Sequence, residues 1–101
     1  MSARVLFYVQ SLLGIGHLKR ASLIARALGA AGLDVTVVLG GEPAPGVLFD
    51  GCSRVLLPSV RALDASFRTL VDTNGQPIDD AFRDRRTARL LREFDAIEPQ
   101  V

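Results

Sequence analysis

Two short apolar runs, RVLFYVQ at positions 4–10 and DVTVVLG at 34–40, constrain this chain more than any other feature. Both are rich in β-branched and aromatic residues and nearly continuous in their hydrophobicity. That is the pattern of strands covered on both faces, as in a parallel sheet. Between the runs the period becomes helical. From His17 onward, Leu18, Ala21, Ala25 and Leu28 fall on one stripe, Ile24 and Ala31 widen it, and Lys19 and Arg26 share another face. Gly32 follows as the expected terminator. Strand, helix and strand within roughly 35 residues make a βαβ unit, right-handed by default.

The second half is less regular. Gly40, Gly41, Pro43, Pro45 and Gly46 break the second strand off into a loop, and SRVLLP at 53–58 reads as a third short strand stopped by Pro58. From Val60 to Ile78 the pattern weakens into an excursion outside the sheet, in which Asn74-Gly75 signals a hairpin and Pro77 confines the return arm to an edge. A helix is expected from the carboxylates Asp79 and Asp80 to just before Pro99, with Leu90, Leu91, Phe94 and Ile97 inside and its five arginines on a solvated outer face with spaced ion pairs. The closing EPQV has the look of the first step of a fourth strand. The expected fold is therefore α/β, an incomplete Rossmann-like parallel sheet of order 3-2-1. Residues 1–101 would form one domain, cut before its fourth strand.

Composition narrows the function classes. At 101 residues, 49% of them apolar, the chain is globular and holds one domain at most. Its 12 basic and 11 acidic residues are spread along the chain, which argues against a nucleic-acid surface. Cys52 stands alone, so no disulfide framework and no multi-cysteine metal site is expected, and a reducing compartment fits. Arg4 with VLFYVQSLLGIG mimics a short secretory signal, but Gln10, Ser11 and the lack of a small-x-small exit argue against one. No stretch reaches the ~18 apolar residues of a membrane span. A cytoplasmic protein is expected, with peripheral membrane contact left open.

In an open parallel sheet, ligands bind beyond the carboxyl ends of the strands. The turn from the first strand into the first helix, SLLGIGH at 11–17, is accordingly the first candidate site. Gly14 and Gly16 permit backbone conformations that a side chain forbids, and free amides at a helix start attract negative oxygens. Two phosphate loops are excluded by spacing: a dinucleotide fingerprint needs a third glycine where Lys19 stands, and a Walker loop needs a four-residue gap that is missing. Val9, Gln10 and Ser11 likewise offer none of the acids of a phosphoacceptor site. What remains is G-x-G-H-x-x-R. The positive end of a helix disfavours an imidazolium, and a neutral imidazole in a wet crevice is the form that can take a proton from a hydroxyl or water. His17 is thus the candidate base, the alternative being an imidazole that caps the helix or packs beside the strand. Lys19 and Arg20 put cations in a first helical turn at a cost of about 0.3–1 kcal/mol. They face either an anion, such as a substrate phosphate, or solvent.

The stretch VLFYVQSLLGIGHLKRASLIARALGAAGLDVTVVLGG at 5–41 resembles the start of bacterial glycosyltransferases of the two-domain GT-B architecture, relatives of the enzyme that adds N-acetylglucosamine to the lipid-linked peptidoglycan precursor. The similarity continues through PGV, RVLLP, LVDTNGQPIDD and RRTARLL. The resemblance implies an N-terminal, acceptor-side domain whose partner domain, or partner chain, holds most of a UDP-linked sugar donor, with no further cofactor and no metal. It maps Gly14, Gly16 and His17 to the loop facing the inter-domain cleft, with His17 at the position of the base. Arg20 matches an arginine also found in nucleotide-sugar hydrolases of the superfamily, and Lys19 joins it as a candidate substrate-binding cation. Three functions follow: part of a glycosyltransferase acting on an acceptor hydroxyl, a nucleotide-sugar hydrolase, or a non-catalytic half of a split glycosyltransferase. The 101 residues alone are expected to be inactive, and an open sheet edge is expected to favour self-association.

Overall fold

The computed structural model describes residues 2–101. In chain order the elements are β1 (Arg4–Val9), α1 (Gly16–Ala30), β2 (Asp34–Leu39), β3 (Ser53–Leu56), β4 (Arg61–Ala62), β5 (Leu70–Val71) and α2 (Asp80–Ile97). β1 and β2 pair in parallel along their whole length, from Arg4 opposite Asp34 to Val9 opposite Leu39. β3 adds in parallel on the far side of β2, from Thr36 opposite Ser53 to Leu39 opposite Leu56. The order and the parallel sense match the sequence expectation of a 3-2-1 sheet.

α1 covers one face of this sheet. Val5, Val9, Val35, Val37 and Leu39 alternate onto that face and cluster with Leu18, Ala21 and Ala25. The crossover from β2 to β3 contains no helix, and Val47 and Phe49 from its loop complete the cluster. The buried stripe of α1 is Leu18, Ala21, Ser22 and Ala25, narrower than the sequence pattern implies. Ile24 is 45% exposed, and Ala31 lies past the helix end and is exposed as well. Small residues let the helix sit close on the valine-rich strands, and the buried Ser22 hydroxyl is satisfied by donating to the Lys19 carbonyl at 2.7 Å. The helix stops as expected at Gly32. With φ +93° there, the Gly32 N–H donates to Gly29 O and the Leu33 N–H to Leu28 O, the two bonds of a Schellman motif.

The opposite face carries Thr36, Tyr8 and Val38, and α2 packs over it. Asp79 caps α2, its carboxylate accepting from the Phe82 N–H at 2.8 Å. Phe82, Arg86 and Leu90, at four-residue steps, and Ile97, two turns beyond Leu90, form the stripe α2 turns inward, with the half-buried Arg89 and Glu93 beside it. Leu91 and Phe94, expected inside, are 57% and 51% exposed: Leu91 lies one position off the stripe, and Phe94, a further four-residue step after Leu90, has drifted past its edge because about 3.6 residues make a turn. The expected ion pairs are present as Arg83–Asp80 at 3.6 Å, which is exposed, and Arg89–Glu93 at 2.9 Å, which is half-buried at the side of the inward stripe. Arg86 departs from the expectation and faces the sheet.

Residues 57–78 form the excursion. β4 and β5 pair antiparallel, apart from the main sheet, and Val71 bridges Pro77 across the Asn74-Gly75 turn. Only Gly75 has positive φ there, +80°, and the Asp72 carboxylate accepts from the N–H groups of Asn74 and Gln76. The turn is therefore a longer, Asx-supported loop, distinct from the two-residue type in which both central residues have positive φ. After α2 the chain reaches the edge of β1 that faces away from β2. The Val101 N–H donates to Arg4 O at 3.3 Å and the Val101 carbonyl accepts from the Leu6 N–H at 3.0 Å, the bond pair of a parallel step opposite Val5. No helix among the described residues is long and apolar enough to cross a membrane.

Two measurements check this packing. Gly32→Ala forces a side chain into the left-handed region and should cost about 1 kcal/mol in chemical denaturation. Cys52 is half-buried, with its thiol directed at the Ala25 carbonyl at 3.4 Å, and burial pushes the thiol up from its ordinary value. The thiolate is the reactive form, so at about pH 8 an aromatic disulfide reagent should attack the folded chain more slowly than the chain in denaturant. Equal rates would show the thiol to be freely exposed.

Candidate functional site

β1 ends at Val9, and the chain crosses the carboxyl edge of the sheet before α1 begins at Gly16. The path of this turn is held from several sides. The Ala62 N–H donates to Leu12 O at 2.7 Å, the Gln10 amide nitrogen donates to Val60 O at 3.1 Å, and the Ser11 hydroxyl donates to Gly14 O at 2.8 Å. Gly14 has φ +75°, the conformation for which a glycine is needed there. Beside the turn, a Cβ on Gly41 would stand 3.0 Å from Ser11 O, so the two loops leave room for glycine alone without adjustment.

α1 starts with Ile15 as its N-cap, with no side-chain cap and no acid in the first turn. The Lys19 N–H makes the bond back to Ile15 O at 3.0 Å, which leaves the amides of Gly16, His17 and Leu18 without a partner inside the helix. The positive end of the helix is therefore uncompensated from within. Gly14, Gly16, His17, Lys19 and Arg20 are all exposed. His17 and Arg20, three positions apart, share a face of the first turn. Among the described residues neither Lys19 nor Arg20 forms an ion pair.

A cavity of about 380 Å³ lies against the turn, lined by Ser11 to Ile15 and Leu18 on one side and by Glu42, Pro43 and Arg61 on the other. Of the sequence candidates, Gly14 lines it. Gly16, His17, Lys19 and Arg20 stand just beyond, along the exposed start of α1. Glu42 and Arg61 were not singled out from the sequence. Glu42 follows β2 at the carboxyl edge and was findable by the same rule that selected the glycine turn, whereas Arg61 sits in the weakly patterned excursion and carried no signal. Glu42 is anchored by the Thr73 hydroxyl, which donates to it at 2.9 Å.

The second charged feature of this edge is Arg86. Its Nε donates to Pro58 O at 2.7 Å, and its Nη2 donates to both Gly40 O and Gln10 Oε1 at 2.9 Å. Tyr8 OH donates to the same Gln10 oxygen at 2.9 Å. One guanidinium thus joins the chain just past β1, β2 and β3. It also explains Gly40, because a Cβ there would collide with the Gln10 amide and the guanidinium. The outer-face reading of the α2 arginines missed this residue, since alternation with acids says nothing about which arginine turns inward. No cluster of His, Cys, Asp and Glu suited to a metal ion occurs among the described residues. No protein-family model, curated protein or solved structure matches the chain.

Arg86→Met keeps the apolar stem and removes the donors to three oxygens. It should lower stability by about 2 kcal/mol in urea denaturation. Arg92→Ala, on the exposed face of the same helix, should stay within about 0.5 kcal/mol of the parent.

Proposed function

We propose that this chain forms the acceptor-side part of a glycosyltransferase. His17 takes the proton of an acceptor hydroxyl as that oxygen attacks the anomeric carbon of a UDP-linked sugar, and the nucleoside diphosphate leaves with the bonding pair. The observation that carries the reading is the position of His17, an exposed imidazole at the second residue of an uncapped helix, on the carboxyl edge of a parallel sheet and next to a cavity. A base must reach the proton it removes, and an imidazole in this place is open to an incoming hydroxyl. The unbonded amides of the first turn, with Lys19 and Arg20 beside them, suit a negatively charged group on the acceptor. The parallel order 3-2-1 is compatible with the first part of a Rossmann-like domain, which the reading requires. The donor is held mainly by a second domain or partner chain, and the reaction belongs to the cytoplasm. The openness of His17 also favours a second reading, in which the same base activates water and the chain belongs to a nucleotide-sugar hydrolase.

Assayed with the donor-binding part present, His17→Ala should lower kcat by about 10²- to 10⁴-fold with KM little changed. Arg20→Ala should raise KM and leave kcat close to the parent value. Release of free sugar without an acceptor selects the hydrolase reading, and an unchanged kcat in His17→Ala removes the base from both.

A further inference from the structure

A second cavity, of about 430 Å³, opens between α2 and the carboxyl end of β1. Its walls are mostly aliphatic, with Leu12, Leu57, Val60, Leu70, Ile78 and Leu90 contributing, and its polar groups are Tyr8, Gln10, Arg83, Arg86 and Thr87. A concave, largely apolar space with a few converging polar groups is the usual form of a small-molecule site. Among the described residues no carboxylate lines it. Of its two cations, Arg83 is balanced by Asp80 at 3.6 Å. Arg86 is different. Its bonds go to carbonyl oxygens alone, and its Nη1 takes no part in them. A half-buried guanidinium bonded to neutral oxygens alone has no counter-ion, in an apolar setting where a counter-ion is worth most.

We infer that the cavity between α2 and the end of β1 binds a monocarboxylate with an apolar body, its head on Arg86 Nη1 and Thr87 and its body against Leu57, Val60 and Leu90. The uncompensated charge is a single one, which suits a monoanion. The fork of Arg86 is held in place by three bonds before any ligand arrives, so little side-chain freedom is lost when a carboxylate docks. The site is separate from the glycine turn. None of Gly14, Gly16, His17, Lys19 or Arg20 lines it, and it stands whether or not His17 is a base.

The test is a titration of the full chain with decanoate below its micellar concentration, followed by amide and arginine side-chain NMR. Saturable shifts are expected at Tyr8, Gln10, Thr87, Leu90 and the Arg86 Nε–H, while decanol and acetate, each lacking one half of the ligand, should bind about tenfold or more weakly. Leu90→Trp fills the cavity from a half-buried helical position and should abolish the shifts. Thr87→Val, at an exposed position that leaves the fold intact, should weaken binding several-fold. Decanol binding as tightly as decanoate would reduce the cavity to an apolar groove. Shifts confined to residues 14–20 would place the anion at the start of α1. Either result, unchanged binding by Leu90→Trp, or the absence of saturable shifts overturns the inference.

Discussion

The parallel pairing of β1 with β2 is the constraint on which the remaining structure depends. Val37 and Val38 are neighbours in sequence, point to opposite faces, and are both 0% exposed. A strand like this has no solvated side, so the chain must supply a layer for each face. α1 and the loop carrying Val47 and Phe49 cover one, and α2 with the segment after β3 covers the other. The layers then meet at the carboxyl edge of the sheet, and both cavities lie there. Position of the candidate chemistry is in this sense a by-product of burying both faces of β2.

That edge concentrates positive charge of two kinds. The start of α1 presents unbonded amides together with Lys19 and Arg20, exposed and screened by water. Arg86 presents a guanidinium drawn into the structure, where screening is weak and three carbonyl oxygens neutralise its donors without neutralising its charge. The first arrangement favours a hydrated, exchangeable anion and the second a desolvated one. Leu12 lines both cavities, so the glycine turn forms the partition between them.

Most of the fold was legible in the sequence because local physics and tertiary physics agreed. The continuous apolar runs gave β1 and β2, the change of period gave α1, and Gly32 and Asp79 marked ends that the hydrogen bonds match. Reading failed where neighbours decide. Periodicity alone does not fix the rotation of α2 about its axis, so Leu91 and Phe94 were assigned to the wrong side and Arg86 to solvent. The glycine turn was placed correctly at the sheet edge, and Gly14 does line a cavity there, because strand ends and helix starts are local features. Arg61, which completes that cavity, and the network of Arg86 depend on segments far apart in the chain and left no trace in local pattern.

Arg86 also bears on the order of events during folding. Its three bonds span 28, 46 and 76 residues of chain. Each acceptor lies just beyond a strand and is fixed in space only once that strand has found its register, so the closure entropy of three long loops must already have been met. The bonds therefore close after the sheet is aligned. Interactions absent from the folding transition state slow unfolding without hastening folding. Bonds that close in that order act as a latch, adding to the barrier against opening of the assembled sheet and not to the speed of its assembly.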